Sequence, residues 1–198
     1  TDPEVQRAME FWKELVDAGY FVPDANAYDW DEAANMVANG DAAMTLMGTW
    51  ITGLWNGNGL EPVTDYDFFP FPIIDPEIPE VVHGSIDGWV IPANAKNAEG
   101  GKAVLAWMLS PEVQQTWAIG QGALAASTAI DQSAYTPVMA KAAEYLAGVD
   151  FLSGYDLSTT PPMAEGGLDM FAMFMNDPSG YLDYLAETQI IADDVFGG

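Results

Sequence analysis

The sequence contains no cysteine and only one histidine, His83, among its 198 residues. Disulfide bonds, thiol nucleophiles and thiolate metal sites are therefore excluded. A Ser-His-Asp triad would have to use His83, and the G-x-S-x-G segment that presents such a serine is missing. The spacings of zinc sites, EF-hand loops and phosphate-binding glycine loops are also missing, so the sequence predicts neither a metal nor a cofactor.

Basic residues are also scarce. The chain has five lysines and arginines and 30 acidic residues, which gives a formal net charge of −25 and a sequence pI near 4.1. Phosphate binding needs clustered basic side chains, so the sequence predicts no nucleic-acid partner and disfavours an anionic membrane surface. Two interpretations of the acidity stay open: an ordinary solvated surface, or adaptation to high salt, where screening removes self-repulsion.

Long apolar runs are missing too. No stretch has the length of a membrane span, and no charged-then-apolar leader precedes Thr1. Hydrophobic residues nevertheless make up 49% of the chain, which argues against disorder in spite of the charge. A chain of this length can bury a core as one large or two small domains.

Caps and breakers predict most of the helices. Asp29 and Glu32 have the spacing of a capping box, and Asn39-Gly40 supplies a left-handed stop, so we expect a helix over 30–38. The same signals predict a first helix that closes at Gly19. Further helices are expected over 98–109, over 111–119 and from Pro137 onward, with breaks at 148–160 and 177–178.

Strands are expected at three places. The nearly uncharged run 42–47 suits a strand buried on both faces, and shorter strands are predicted over Tyr66–Phe69 and Trp89–Ile91. Thr49 is then the expected cap of a new helix. Trp50 would follow directly at the carboxyl end of the 42–47 strand, where open α/β sheets bind their ligands. Together the elements predict an α/β fold with a heavily helical carboxyl part.

Several short motifs follow one another along the chain. They are Gly40-Asp41-Ala42-Ala43-Met44 with Gly48-Thr49-Trp50, then Gly84-Ser85-Ile86-Asp87-Gly88-Trp89-Val90-Ile91-Pro92, then Ser110-Pro111-Glu112-Val113-Gln114-Gln115, Gly122-Ala123-Leu124-Ala125-Ala126, and Tyr155-Asp156-Leu157 with Thr160-Pro161-Pro162. Their order and spacing resemble the family 1 extracellular solute-binding proteins, the sugar receptors of ABC importers. One departure is Ala125, which stands where the family has a proline.

The resemblance implies a periplasmic-binding-protein-like (type II) fold. It places residues 1–86 in the second lobe, residues 87–125 in a segment that crosses into the first lobe, and residues 126–198 in a helical return. Proteins of the family are roughly twice this long, so we expect the chain to be the carboxyl-terminal portion, with most of the first lobe and the signal peptide absent. Without its packing partners the crossing segment should either self-associate or fold differently.

The resemblance also implies a function. The protein would be the substrate-binding component of an ABC transporter, binding a sugar or oligosaccharide for import, without enzymatic activity and without a cofactor. Its partners would be the saccharide and the ABC permease subunits in the membrane. Its location would be periplasmic or extracellular, with a lipid anchor as one option.

Tryptophans and carboxylates supply the candidate ligand-binding residues, because an indole stacks on the apolar face of a pyranose while carboxylates accept hydrogen bonds from its hydroxyls. The candidates are Trp50, Trp89, Asp87, Gly88, Tyr155, Asp156 and Trp30. Gly88 would let the ligand approach the backbone. Trp12, Trp107 and Trp117 lie within amphipathic helices and are assigned to core packing.

Two other functions stay open. Paired carboxylates could hydrolyse a glycosidic bond, although abundant acidic residues make any chosen pair uninformative. A helical protein-interaction domain would use the aromatic side chains as interface anchors.

The charge generates a first prediction. If the surface is adapted to salt, the melting temperature should rise markedly between low and molar KCl, because repulsion among the excess carboxylates is screened. Calorimetric scans across a KCl series measure this shift. A flat response would instead identify an ordinary solvated surface.

Overall fold

The structure, a computed structural model, describes residues 2–84 and 87–197. Within these residues it contains helices and two short strands. The helices are α1 Pro3–Asp17, α2 Trp30–Asn39, α3 Ile51–Gly57, α4 Ala98–Met108, α5 Pro111–Gln121, α6 Pro137–Leu146, α7 Pro161–Asn176 and α8 Tyr181–Phe196. The strands are β1 Val81–His83 and β2 Asp150–Leu152. Ser85 and Ile86, which belong to one of the family-like motifs, lie outside the described residues.

Capping signals mark the start of α1 and both ends of α2. The Asp2 side chain accepts a backbone N–H at the start of α1, and Pro3 occupies the first helical position. At the start of α2 the Asp29 N–H donates to the Glu32 carboxylate at 3.0 Å, which is the backward half of a capping box. Gly40, with a φ of 82°, ends α2 in the left-handed conformation. The helices expected near 98–109 and 111–119 are confirmed as α4 and α5.

The three expected strands are wrong. Residues 42–47 form no ladder with any described residue, and Met44 and Leu46 are exposed rather than buried. Tyr66 makes an isolated bridge to Pro62, and residues 89–91 pair with no described residue. Apolar composition alone cannot form a strand, because a strand also needs a neighbour that pairs with its backbone groups.

The ladder that does form was not expected. β1 and β2 pair in parallel, with Val81 opposite Asp150 and His83 opposite Leu152. Each strand has three residues, so the periodicity that identifies strands in a sequence is too short to recognise. The described chain is therefore helix-rich, and strands contribute less to it than the expected α/β fold implies.

The chain divides into two compact units. Unit 1 combines Thr1–Ala33 with Ser153–Gly198, and unit 2 is Ala34–Leu152. The boundary near 152–153 coincides with the end of β2. The expected lobe boundaries at residues 86 and 125 are a different division of the chain, and they stay a prediction.

Unit 1 has a core built from α1, α7 and α8. Phe174 is completely buried, and Met9, Met170 and Leu185 are buried around it. Trp12 packs against Phe174 with ring centroids 4.7 Å apart, as its core assignment predicted.

Unit 2 has a core where α2, α3 and α6 meet. Trp55 is 5% exposed, and its indole N–H donates to the Ala34 carbonyl at 3.2 Å. Tyr66 lies against it with ring centroids 4.9 Å apart, and Val138 of α6 completes the cluster. A buried indole needs a hydrogen-bond acceptor, and the Ala34 carbonyl supplies it.

The core assignment of Trp107 and Trp117 is wrong. Trp107 on α4 is 62% exposed and Trp117 on α5 is 51% exposed. Helical spacing identifies a face that could be buried, but burial requires an element that covers this face. Among the described residues, none buries these two indoles. Within the same residues, no helix combines the length and apolar character needed to cross a membrane.

The contact between α3 and α5 generates a second prediction. A Cβ on Gly53 would lie 2.6 Å from the main-chain carbon and oxygen of Gln121, which cannot move aside as a side chain could. We expect Gly53→Ala to lower the free energy of unfolding by about 1 to 3 kcal/mol, as overpacked cores do. Denaturant titration measures the change.

Gly57→Ala in the same helix is the matched control, because a Cβ there would meet open space. It should be neutral or stabilise the protein by up to about 1 kcal/mol, as alanine favours a helix over glycine. Equal stability changes in the two variants would contradict the close approach of α3 to α5.

Candidate functional site

Trp50 is presented at the turn that leads into α3. The helix begins at Ile51, and Trp50 occupies the N-cap position without a side-chain capping bond, so the expected capping role of Thr49 is wrong. The six-membered ring of Trp50 occupies the space that a Cβ on Gly48 would take. Trp50 is 47% exposed, so part of the indole surface remains open to solvent. This ring therefore rests against the chain and is available on the solvent side.

A small cavity of about 80 Å³ lies next to this turn. Its lining is mainly apolar and includes Met47, Thr52 and Trp55, with Asp67 as its charged member. The Nζ atom of Lys141 binds the Asp67 carboxylate at 2.8 Å. Hydrogen bonds from Lys141 and from the Phe68 N–H hold the pKa of Asp67 below its usual range. Ligand pockets typically enclose roughly 300 to 1,000 Å³, so this cavity is too small for a sugar.

Asp87, Gly88 and Trp89 form an open segment of unit 2. All are exposed, and a Cβ on Gly88 would meet no atom within 4 Å. The Asp87 carboxylate makes no hydrogen bond to a described residue. This segment can offer an acceptor and an aromatic face to a ligand.

Trp89 has an aromatic neighbour that the sequence assigned to the core. Trp117 of α5 meets it edge to face, with centroids 6.1 Å apart and an angle of 78° between the planes. Both indoles are more than half exposed. Nothing in the spacing of Trp117 separated it from core tryptophans. The contact joins a segment without regular secondary structure to a helix, and only the fold brings them together.

Tyr155 and Asp156 lie in unit 1, in a short 3-10 helix over Tyr155–Leu157. The Tyr155 hydroxyl donates to the Met163 carbonyl at 2.7 Å, and its ring fills the space beside Gly167. Partial burial raises the pKa of Tyr155 above its usual value of 10.0. Its hydroxyl proton is therefore committed within the protein, and toward a ligand Tyr155 can only accept. Asp156 is exposed.

The remaining candidate, Trp30, is the first residue of α2 and is 51% exposed. Trp30, Tyr155 and Asp156 belong to unit 1, while Trp50, Asp87, Gly88 and Trp89 belong to unit 2. A groove of about 390 Å³ also lies between α7 and α8, but no candidate lines it. No group of three or more acidic or histidine side chains within the described residues could hold a metal ion.

Tyr155 generates a third prediction. Tyr155→Phe removes the bond to the Met163 carbonyl and should lower the free energy of unfolding by about 1 kcal/mol. The extra stability of the wild type over the variant should be complete below about pH 10, the ordinary pKa of tyrosine. It should disappear as the pH rises through the higher pKa of Tyr155 in the folded state. Urea titrations of both proteins between pH 7 and 11 measure this difference. A constant difference over that range would contradict the assignment of the hydroxyl proton.

Comparison with known proteins identifies a sequence relative, a solved structure of similar fold and a family. The chain is 29% identical over 178 residues to an uncharacterized ABC transporter extracellular-binding protein of Pyrococcus horikoshii, a match that covers 89% of this chain and 37% of the relative. Its fold matches the bacterial solute receptor AcbH with a TM-score of 0.82 and 23% identity, over 99% of this chain and 50% of that receptor. AcbH is described as having an exclusive preference for β-D-galactopyranose.

The chain thus spans half or less of the length of these relatives. The likeness to AcbH shows the fold. The family model for bacterial extracellular solute-binding proteins matches residues 2–115, which is more than half of the chain. This match includes the motifs around Trp50 and Trp89. The chain belongs to the bacterial extracellular solute-binding protein family.

Proposed function

We propose that this chain is part of the substrate-binding component of an ABC importer and that it binds a sugar or oligosaccharide. The observation that carries the proposal is the exposure of Trp50 at the turn into α3, in a chain of a solute-binding family. Removing an indole from water lowers the free energy, so an indole that the fold leaves exposed can still contribute this gain by contacting a partner. Asp87 beside Trp89 adds an acceptor for ligand hydroxyls.

The chemistry of these groups suits a saccharide. The C–H face of a pyranose can stack on the open part of the Trp50 or Trp89 indole, and Asp87 of the same unit can accept hydrogen bonds from its hydroxyls. Asp156 of unit 1 is a separate candidate acceptor. Trp30 offers a further exposed indole. Tyr155 would act as an acceptor or as an aromatic surface, because its proton is already bound.

The relatives support the transport role. The archaeal relative carries the name of an ABC transporter extracellular-binding protein, and the fold neighbour is a receptor for a pyranose. We therefore assign this chain a saccharide ligand, ABC permease partners and a periplasmic or extracellular location. Closure of two lobes around the ligand would provide the form that docks on the permease. The comparisons point to receptors rather than to an enzyme.

The lobe assignment belongs to the same proposal. Residues 87–125 would cross into the first lobe, and 1–86 with 126–198 would form the second. The exposure of Trp107 and Leu109 on and after α4, at 62% and 72%, supports the expectation that this segment lacks a covering element. Such an uncovered apolar face favours self-association of the isolated chain.

Trp50 generates a fourth prediction. Trp50→Ala should weaken saccharide binding by roughly 1 to 3 kcal/mol, comparable with an aromatic contact at a binding hot spot. Trp50→Phe, which keeps an aromatic face, should lose less. Isothermal titration with D-galactose, lactose and maltotriose, on the chain together with any sequence that adjoins it in its gene, measures these affinities.

Two outcomes would count against the proposal. Unchanged affinity in a folded Trp50→Ala protein would remove Trp50 from the site. Release of hydrolysed product from lactose or maltotriose, followed by chromatography, would replace the receptor with a glycosidase.

A further inference from the structure

Thr52, two residues after Trp50, makes a buried hydrogen bond that the proposed function does not yet use. Among the described residues it is the one polar side chain that is buried, at 4% exposure. Its hydroxyl donates to the carbonyl of Gly122, the C-cap of α5, at 3.2 Å. Gly122 is buried as well. Burying a hydroxyl and a carbonyl is unfavourable unless they bond, so this contact is a specific tie between α3 and α5.

Other helical threonines use their hydroxyls locally. Thr116 on α5 donates to the Glu112 carbonyl and Thr188 on α8 donates to the Tyr184 carbonyl, in each case four residues back in the same helix. Thr52 is the second residue of α3, so the residue four positions back lies before the helix begins. Its hydroxyl bonds to another element instead.

Main-chain bonds connect this tie to Trp50. The Thr52 N–H donates to the Thr49 carbonyl and the Gly53 N–H donates to the Trp50 carbonyl, both at 3.0 Å. Gly53 also lies against Gly122, because a Cβ on Gly122 would be 2.2 Å from the Gly53 nitrogen. The first turn of α3 therefore bonds and packs against the end of α5 as one piece. The direction in which this turn presents Trp50 depends on the position of Gly122.

Packing alone does not restrain this turn on every side. Thr49, Ile51 and Thr52 line the cavity of about 80 Å³. Side chains that border a void lose the contacts that would otherwise hold them in place. A valine would have nearly the same shape as Thr52, so the hydroxyl adds a directional restraint that shape does not supply.

We propose that Thr52 is a positioning residue of the saccharide site. By binding the Gly122 carbonyl, it sets the orientation in which Trp50 meets the ligand, while Thr52 itself stays buried and touches no ligand. Gly122 lies near the end of the segment 87–125 that the proposed lobe assignment makes the crossing segment. A movement of that segment therefore reaches Trp50 through this tie. The inference rests on the proposed function and adds a control of its aromatic contact.

Titration calorimetry of variants tests the role of the hydroxyl. Thr52→Val removes it and keeps the shape, Thr52→Ser keeps it, and Thr52→Ala removes it without placing a methyl group against the Gly122 carbonyl. The matched control is Thr188→Val in unit 1, which removes a hydroxyl that bonds within its own helix. Each would be titrated with D-galactose, lactose and maltotriose, in the chain together with any adjoining sequence of its gene.

The hydroxyl should decide the affinity. We expect Thr52→Val and Thr52→Ala to weaken the best of these ligands by about 3- to 10-fold, in the range of one lost hydrogen bond. Thr52→Ser and Thr188→Val should each lose about 2-fold or less.

A double-mutant cycle separates positioning from stability. If Thr52 acts through Trp50, Thr52→Val should weaken binding no further in a Trp50→Ala protein, because the contact that it positions is already gone. A loss of stability alone would leave the two effects independent, so that they add.

Oxidative labelling gives a readout without a ligand. The tryptophans of the ligand-free protein would be oxidised and each site quantified by mass spectrometry. Thr52→Val should raise the oxidation of Trp50, because its ring is no longer held beside Gly48. Trp30 of unit 1, which is exposed to a similar extent, should be unchanged.

Three results would overturn the inference. Wild-type affinity in folded Thr52→Val and Thr52→Ala proteins, while Trp50→Ala loses binding, removes the positioning role and leaves the proposed function intact. Additive losses in the cycle, with unchanged oxidation of Trp50, assign Thr52 to stability alone. Absence of saccharide binding by the wild-type protein removes the proposed function and the role of Thr52 together.

Discussion

The position of the Trp50 turn depends on one buried indole, Trp55. Its N–H binds the Ala34 carbonyl of α2, and its ring packs against Tyr66, so a single side chain of α3 holds α2 and a distant loop together. The Tyr66 hydroxyl in turn donates a hydrogen bond to the side-chain oxygen of Asn56 in α3, at 2.6 Å. An indole this deeply buried without an acceptor would cost free energy comparable with a lost hydrogen bond. These contacts therefore fix the position of α3. Trp50 lies five residues before Trp55, at the N-cap of this helix, so the helix also fixes the position of Trp50.

Local signals were sufficient to predict the helices. Capping residues, first-turn prolines and left-handed glycines act within a few residues, so Asp29, Glu32 and Gly40 define α2 without help from the rest of the chain. Strands depend on distant partners. The run 42–47 was apolar enough to be buried, but pairing is a property of two segments, and the ladder that forms joins Val81 to Asp150.

The tryptophans show the same limit. The chemistry of the indole indicated an aromatic site, and the sequence placed Trp50 directly after one expected strand and Trp89 at the start of another. Neither strand forms, but both indoles are exposed. The sequence could not separate Trp12, which is covered by Phe174, from Trp117, which is not, because both have helical spacing. Whether an amphipathic face is covered depends on which element packs there, and this is decided by the tertiary fold.

Gly48 gives the Trp50 indole its resting place, because the ring occupies the volume of a missing side chain. Any larger residue at this position would displace the ring without touching a ligand. Selection that preserves the indole must therefore preserve the glycine as well, and relatives that lose one are released from the constraint on the other. Positions 48 and 50 should consequently covary as a pair across the family, which makes the Gly-x-Trp spacing a marker of this packed indole.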